Sequence, residues 1–203
     1  SLPKYYNLQI HLNPTLSYLN SFIDVSEETF GKLQKISSIK YVEANTPLAK
    51  AGEVASKMYL LVSGLMRVYL SSESGKEYNK NFFMPLSFVG SFTSIIKKQP
   101  SKLTYEALTD CKLYEIDFNK IVDLCQHDIQ ISNLYNKILE KIFMSYEERQ
   151  LELISMDAKQ RYVQLIKRLP NIDSMIPQYQ IASYLGITPV QLSRIRKTLN
   201  LNS

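Results

Sequence analysis

The chain has 203 residues, 45% of them hydrophobic, and a net charge of +5 at neutral pH, which is typical of a globular protein with one large or two small domains. No apolar run reaches the ~18 residues of a membrane span, and the N-terminal residues lack the apolar stretch of a secretion signal, so the sequence predicts a cytoplasmic protein with no membrane partner. Two cysteines and two histidines are too few for an iron–sulfur cluster or a histidine-rich metal site, so we expect no metal and no other cofactor.

The elements at the beginning of the chain are predicted to be short helices. Apolar side chains in residues 22–36 recur at helical spacing, and Ser26, which is followed by two glutamates, is typical of a helix start. Over residues 39–117 the pattern changes to short runs rich in β-branched and aromatic residues, separated by turn signals such as Ser63-Gly64. Strands at this spacing indicate an antiparallel sandwich or barrel.

Residues 118–156 have a helical pattern that contains neither glycine nor proline. One apolar stripe runs along this segment, at Ile121, Leu124, Ile131, Leu134, Ile138 and Ile142, and Leu139 and Phe143 widen it. Because a small β-domain could not cover the whole stripe, we expect it to form a helix–helix seam with a second copy of the chain. The alternative is that the stripe packs only against its own domain. Asp128 interrupts it, so the seam is not a strict heptad.

Positive charge is concentrated at the end of the chain. Residues 159–203 contain seven basic and one acidic side chain, whereas the first 158 residues contain 17 basic and 18 acidic ones. This asymmetry predicts a segment that binds a polyanion, and a solvated basic surface is the alternative. We expect the segment to begin with a helix that Asp157 caps and that ends before Pro170.

Residues 178–197 fit a helix-turn-helix position by position. Apolar side chains stand where two helices must pack, at Ile181, Leu185, Leu192 and Ile195. Gly186 lies at the turn, where the backbone must be left-handed. Thr188 and Gln191 match a capping box for the second helix, and Pro189 suits its first position. The coincidence of turn, cap and packing signals predicts the motif.

The motif predicts that a helix over residues 189–199 enters the major groove of double-stranded DNA. Arg194 is the expected base contact because arginine can donate two hydrogen bonds to guanine, and Gln191 could recognise adenine, although capping competes for its side chain. The other candidate DNA contacts are Gln178, Tyr179, Thr188, Pro189, Val190, Ser193 and Lys197, of which Gln178, Tyr179, Thr188 and Ser193 could hold phosphates. The alternative is a plain helical hairpin whose basic side chains only solvate its surface.

Several segments resemble a known family: Ala51-Gly52-Glu53, residues 58–69, Phe88-Val89-Gly90-Ser91-Phe92, Glu106-Ala107-Leu108 and residues 176–189. With these segments the whole chain resembles the CRP/FNR family, the catabolite-activator-like transcription regulators. The resemblance implies an α+β fold with three parts. The first part (1–117) contains N-terminal helices and an antiparallel β-roll, which is a jelly roll of the cyclic-nucleotide-binding type. The second is a long dimerisation helix (118–156), and the third is a helix-turn-helix DNA-binding domain (157–203).

The resemblance also carries functional expectations. It implies a homodimer without enzyme activity that regulates transcription at a pseudo-palindromic operator, with RNA polymerase as a partner and a small-molecule effector in the β-roll. Larger members have a β-hairpin wing before the motif. Only residues 171–176 are available for it here, so we expect the wing to be reduced or absent.

The effector site implied by the resemblance departs from the family pattern. Members that bind cyclic nucleotides hold the ribose with Gly-Glu and the cyclic phosphate with an arginine about ten residues later. Here Ser91 follows Gly90, and Ser101 with Lys102 stands at the arginine position. Both charged anchors are missing, and a buried phosphate without a paired cation is costly, so we do not expect cyclic AMP to bind in the usual mode. The implied effector pocket comprises Gly90, Ser91, Phe92, Ser101, Lys102, Leu103 and Thr104.

Some alternatives remain open at the level of sequence. Lys97, Lys98 and Lys102 either bind a different anion or belong to a solvated loop. The main hypothesis is a DNA-binding regulator modulated by an unidentified effector. A ligand-independent DNA-binding regulator is one alternative, and a cupin-like ligand-binding module with an idle C-terminal domain is another. A cupin enzyme usually holds a metal with histidines, and residues 39–117 contain none.

Overall fold

The computed structural model describes residues 14–199. Two short helices, α1 (Pro14–Asn20) and α2 (Glu27–Lys35), precede the sheets. Ser26 caps α2, because its side chain accepts a hydrogen bond from the backbone N–H of Thr29, as the sequence indicated. Any helix before Pro14 would lie outside the described residues.

Eight strands within residues 14–199 form two antiparallel four-stranded sheets. The strands are β1 (Ser37–Val42), β2 (Pro47–Ala49), β3 (Lys57–Ser63), β4 (Met66–Ser71), β5 (Glu77–Phe83), β6 (Phe88–Val89), β7 (Thr104–Ala107) and β8 (Cys111–Asp117). One sheet has the order β1-β8-β3-β6 and the other has the order β2-β7-β4-β5. A short helix, α3 (Phe92–Lys97), follows β6. The antiparallel sandwich predicted from the sequence is therefore confirmed.

The two sheets enclose an apolar core. Its buried members are Val42, Tyr59, Leu61, Met66, Val68, Val89, Tyr105, Ala107, Cys111 and Leu113. Gly64 turns the chain between β3 and β4 with φ of +97°, and a Cβ at this position would collide with the carbonyl oxygen of Asp110. Only glycine fits both the left-handed backbone and this close approach.

The segment 118–156 is not one helix. It consists of α4 (Phe118–His127) and α5 (Ile129–Ser155), separated by Asp128 in an extended conformation. The Asp128 carboxylate accepts hydrogen bonds from the backbone N–H groups of Gln130 and Ile131, and Lys32 of α2 donates to it at 2.8 Å. The prediction of a continuous helix was wrong because an aspartate in this position starts a new helix instead of continuing the first.

Replacing Asp128 with alanine should lower the free energy of unfolding by about 0.5–2 kcal/mol, the usual contribution of an N-cap. The hydrogen bond from Lys32 and those from the backbone N–H groups hold the pKa of Asp128 below its ordinary value. The stabilisation should therefore persist at neutral pH and be lost only as the pH falls below ~4, through the folded-state pKa. Urea unfolding at several pH values measures both effects. Asp128→Asn keeps the capping oxygen and should cost less; an equal cost for both variants would contradict this account.

The apolar stripe of α5 packs against its own protomer. Ile131 and Leu134 are buried, and Leu134 clusters with Leu19 and Val25 near α1. Ile131 and Leu134 are therefore covered within the protomer, whereas Phe143, which widens the predicted stripe, is exposed, so the seam with a second copy stays a prediction for the second half of α5. In the second half of α5, Phe143 of the stripe and five further apolar side chains are exposed: Met144, Tyr146, Leu151, Leu153 and Ile154.

The C-terminal part is helical. It consists of α6 (Ala158–Arg168), α7 (Ile172–Met175), α8 (Gln178–Leu185) and α9 (Pro189–Thr198). Asp157 caps α6 in a capping box with Gln160, as predicted for this aspartate. Residues 171–176 contain the single turn of α7 and no strand, in agreement with a reduced wing. None of the helices in residues 14–199 combines the length and the apolar character that crossing a membrane requires.

The C-terminal helices share a core with the β-domain. The buried side chains of this core are Leu65, Phe82, Tyr162, Leu165, Ile172, Ile176, Ile181, Ala182, Tyr184, Leu185 and Leu192. Leu65 and Phe82 come from the β-domain, and the ring of Phe82 stacks on that of Tyr184 with centroids 4.8 Å apart. Because burial of apolar surface is shared across the boundary, α8 is held against β5.

Candidate functional site

The turn between α8 and α9 has the geometry of a helix-turn-helix. Gly186 ends α8 in the left-handed region, with φ of 71°, and its N–H donates to the carbonyl groups of Ala182 and Ser183. Thr188 begins α9, because its hydroxyl accepts from the N–H of Gln191 while the Gln191 side chain accepts from the N–H of Thr188 at 2.8 Å. The predicted turn and capping box are therefore both confirmed.

Helix α9 has one buried and one exposed face. Leu192 and Arg196 are buried and Ile195 is partly buried. The opposite face carries the predicted DNA-contacting residues of this helix, all of them exposed: Pro189, Val190, Gln191, Ser193, Arg194 and Lys197. Within residues 14–199, no hydrogen bond or ion pair engages the guanidinium group of Arg194. The structure thus brings these side chains together on one solvent-facing surface, although capping already uses the Gln191 oxygen.

The N-terminus of α8 lies open to solvent. Gln178 and Tyr179 are exposed, the latter by 59%, and the N-cap residue Pro177 makes no side-chain capping bond. Unpaired N–H groups and the positive end of the helix dipole favour an anion at such a position. The two residues that the sequence suggested as phosphate contacts therefore stand where a phosphate could bind.

Three basic side chains of the C-terminal segment have structural roles that composition did not reveal. Arg196 is 5% exposed, forms an ion pair with Asp173 and donates to the hydroxyl of Tyr162. Arg161 donates to the carbonyl of Leu185 at 3.0 Å, and Arg168 forms an ion pair with Glu152. Within residues 159–199, the exposed basic residues that make no ion pair are Lys159, Lys167, Arg194 and Lys197. The charge available to a polyanion is therefore smaller than the sequence count.

A buried arginine connects the β-domain to α8. Arg67 on β4 has a side chain that is 6% exposed, and it donates to Glu106 at 2.8 Å and to Glu77 at 2.6 Å. It also donates to the Gln180 side-chain oxygen at 2.9 Å. Burial alone would lower the pKa of Arg67, but the hydrogen bonds that it donates to the carboxylates of Glu106 and Glu77 raise this pKa above its ordinary value. Arg67 is thus a permanently charged anchor for the first helix of the motif.

Neighbouring groups complete this interdomain network. Asn79 on β5 donates from its amide to the side-chain oxygen and the backbone carbonyl of Gln180, at 2.6 and 2.9 Å. The Ser183 hydroxyl accepts from the N–H of Asn79 and donates to the carbonyl of Glu77. From the other side, Arg149 of α5 donates to the carbonyl of Tyr184 at 2.8 Å. Both the sandwich and α5 therefore fix the position of α8.

Ser91 and Ser101 stand where family members hold the ribose and the cyclic phosphate, a position that we call the cassette. Their side chains form a hydrogen bond with each other. The hydroxyl oxygens of Ser91 and Ser101 are buried and lie 2.8 Å apart, and Ser101 also donates to the carbonyl of Leu103 at 2.7 Å. Lys102 is exposed, and the Thr104 hydroxyl accepts from the N–H of Ala51. Two neutral hydroxyl groups therefore occupy the place of the family's acid and arginine, and their hydrogen bonds are already satisfied within the chain.

The described residues contain no group of three or more histidine, cysteine, aspartate or glutamate side chains placed to bind a metal ion. Both cysteines are free thiols; Cys111 is buried and Cys125 is half-buried. Burial raises the pKa of Cys111, which makes its thiolate less available. Of the two thiols, only that of Cys111 is therefore fully buried.

The amino-acid sequence is similar to those of known regulatory proteins. Residues 39–128 match the cyclic nucleotide-binding domain family. The chain is 26% identical over 183 residues to the anaerobic regulatory protein of Haemophilus influenzae, an alignment that covers 84% of this chain and 70% of that protein. It is 25% identical to the cAMP-activated global transcriptional regulator CRP of Salmonella typhimurium, with coverage of 79% and 80%.

A solved structure agrees with these sequence matches. A transcriptional regulator of the CRP/FNR family from Eubacterium rectale shares the fold with a TM-score of 0.69 at 16% identity, over 91% of this chain and 88% of that one. Alignments with anaerobic regulatory proteins from three organisms cover between 64% and 70% of those relatives' own length. The chain therefore shares its fold with this regulator over most of its length, and its residues 39–128 match a cyclic nucleotide-binding domain.

Proposed function

We propose that the chain is a homodimeric transcription regulator, without enzyme activity, that binds a pseudo-palindromic DNA operator through α9. The observation that carries this proposal is the division of α9 into two faces. One face is fixed by Leu192 and Arg196, while Val190, Arg194 and Lys197 are free to reach a groove. A helix presented in this way can place its first two turns against base edges.

The electrostatics of this surface support the proposal. Arg194 and Lys197 on α9 carry positive charge, and the N-terminus of α8 at Gln178 and Tyr179 is open to solvent. Phosphate contacts position such a protein, and base contacts give it specificity. We assign Arg194 and Gln191 to base contact, and we assign the remaining predicted residues to the backbone and groove edges. RNA polymerase as a partner and action in the cytoplasm are further parts of the proposal, and the similarity to regulators of the CRP/FNR type supports them.

The dimer interface that we propose lies on the exposed face of α5. Phe143 is 68% exposed and Ile154 is 80% exposed, and these two residues lie three helical turns apart. Large apolar side chains clustered on a surface mark an interaction site more often than single ones do. Two copies of α5 packed on this face would place two α9 helices to address half-sites about one turn of DNA apart.

Phe143→Lys should weaken the dimer by about tenfold or more, because a central apolar contact of an interface is replaced by a charge. Sedimentation equilibrium over a range of concentrations measures the dissociation constant. Leu70→Lys, an equally drastic change on an exposed residue of β4, should leave the dissociation constant unchanged. A wild-type protein that stays monomeric, or equal effects of the two variants, would remove α5 as the interface.

Cyclic AMP should not stabilise the protein, because the cassette offers Ser91 and Ser101 in place of a carboxylate and a guanidinium. Thermal unfolding with increasing cyclic AMP measures this, with AMP as the control nucleotide. A ligand at a hundred times its Kd would add about 2.7 kcal/mol and raise the Tm by several degrees. A dose-dependent rise with cyclic AMP and none with AMP would show that the usual site functions without its charges. We therefore propose that any effector in the β-domain is of another chemical class.

Selection of bound sequences from a random DNA pool tests the proposed function most directly. We expect enrichment of a motif with two-fold symmetry whose half-sites are about 10 bp apart. Retention that falls steeply with salt without enriching any sequence would show only polyanion binding. That outcome, or no retention at low salt, would contradict the proposed operator recognition.

A further inference from the structure

A cavity of about 120 Å³ lies outside the sandwich, on the outer face of the β1-β8-β3-β6 sheet. Leu60 and Ile116 of the sheet form its floor, and Leu33 of α2 lies on the opposite side. Leu134 and Ile138 of α5 form a wall. Three separate parts of the described chain therefore meet around a space that they do not fill.

The side chains that line the cavity carry no charge. None of the side chains around the cavity is aspartate, glutamate, lysine, arginine or histidine, and the polar ones are serine, threonine, glutamine and tyrosine. A charged ligand would lose its hydration there without gaining a counter-charge, which is strongly unfavourable. The lining therefore selects for an uncharged occupant with mostly apolar surface.

The volume limits the size of the occupant. An apolar cavity of about 150 Å³ stays dry in other proteins and binds benzene or xenon. A cavity of 120 Å³ has room for a single ring or a molecule of similar size. Side chains that line a void lack contacts on one side, so an apolar occupant restores dispersion interactions that the empty cavity forfeits.

This cavity is distinct from the cassette position. Alternating side chains of β3 face opposite ways, so Leu61 enters the core between the sheets while Leu60 faces the cavity, and Tyr59 borders both. Ser91 and Ser101 are absent from the cavity lining. Of the residues assigned to the effector pocket from the sequence, Phe92 alone borders the cavity, and its ring packs edge-on against Phe118.

We propose that this cavity is a binding site for a small uncharged apolar molecule about the size of one aromatic ring. Benzene and toluene are the probes, and benzoate and benzylammonium are their charged counterparts. Titration of the full chain with benzene or toluene should raise its Tm by about 3–6 °C at ten times the Kd. The charged probes should leave the Tm unchanged.

Variants that fill the cavity identify the site. Ile138→Phe should lose the response to benzene, because the new ring takes the ligand's place, and Ile142→Phe, on the same wall, provides a second variant if the first does not fold. Leu70→Phe adds a ring on an exposed residue of the other sheet, outside the cavity lining, and should respond like wild type. An unchanged wild-type Tm, an equal response to benzoate, or a full response in both filled variants would overturn the proposal. Since the readout is ligand binding alone, its outcome is independent of DNA recognition.

Discussion

Replacing Arg67 with leucine should lower the free energy of unfolding by about 3–5 kcal/mol, the cost of removing one partner from a buried ion pair. The substitution leaves the Glu106 carboxylate, whose side chain is 13% exposed, without its cation. It also removes the donor that the Gln180 oxygen accepts from. The loss therefore affects the sandwich and the docking of α8 together. Urea unfolding followed by circular dichroism measures it.

Lys40→Leu is the matched control for this prediction. Lys40 also forms a cross-strand ion pair, with Glu115 at 2.9 Å, but its side chain is 43% exposed. Exposed pairs contribute at most about 1 kcal/mol, because water screens the charges and side-chain entropy opposes the contact. If Arg67→Leu costs no more than Lys40→Leu, the Arg67 network does not stabilise the fold as we propose.

A double variant separates the ion pair from the rest of the network. Arg67→Leu with Glu106→Leu removes both charges, so no uncompensated carboxylate remains buried. We expect the two substitutions to be non-additive, with a coupling energy of about 0.5–3 kcal/mol. Strict additivity would show that Arg67 acts through Gln180 and Glu77 instead of Glu106.

Local signals were sufficient to predict the helix-turn-helix. Gly186, Thr188 and Pro189 each suit one backbone conformation. The two residues that exchange hydrogen bonds in the capping box, Thr188 and Gln191, are only three positions apart in sequence. The longer strands could be predicted for the same reason, since their β-branched and aromatic residues lie within six or seven consecutive positions. Strands β2 and β6 are too short to show a pattern, and pairing with distant partners creates them.

The interdomain network could not be predicted in this way. Arg67 lies 39 residues from Glu106 and 113 from Gln180 in sequence, so no window of the chain contains the partners of this buried charge. A basic residue inside an apolar strand was the available hint. Similarly, the stripe with Leu134 and Ile138 has the periodicity of a helix seam, but periodicity does not say which surface covers it. The signal for the break at Asp128 was present, since aspartate is a strong N-cap.

Arg194→Ala should weaken binding to the selected operator by about 10- to 100-fold at fixed salt, which corresponds to 1–3 kcal/mol for a lost bidentate base contact. The side chain is exposed on α9 and has no partner elsewhere in the described structure, so its removal should leave the free energy of unfolding nearly unchanged. Fluorescence anisotropy with the operator and with a scrambled duplex measures the two affinities. The loss should be confined to the operator, because a base contact carries sequence information and a phosphate contact does not.

Two further variants distinguish base contact from general electrostatics. Lys197→Ala should weaken binding to both duplexes alike and reduce the salt slope by about 1, as for a lost phosphate contact. Lys120→Ala removes one charge from an exposed position on α4 and should change neither affinity. If Arg194→Ala weakens binding to both duplexes as Lys197→Ala does, Arg194 contacts the DNA phosphate backbone. The specificity must then come from other residues on the same face of α9, of which Gln191 and Val190 are the nearest candidates. If it behaves like Lys120→Ala, the exposed face of α9 does not enter the groove and the orientation proposed for the motif is wrong.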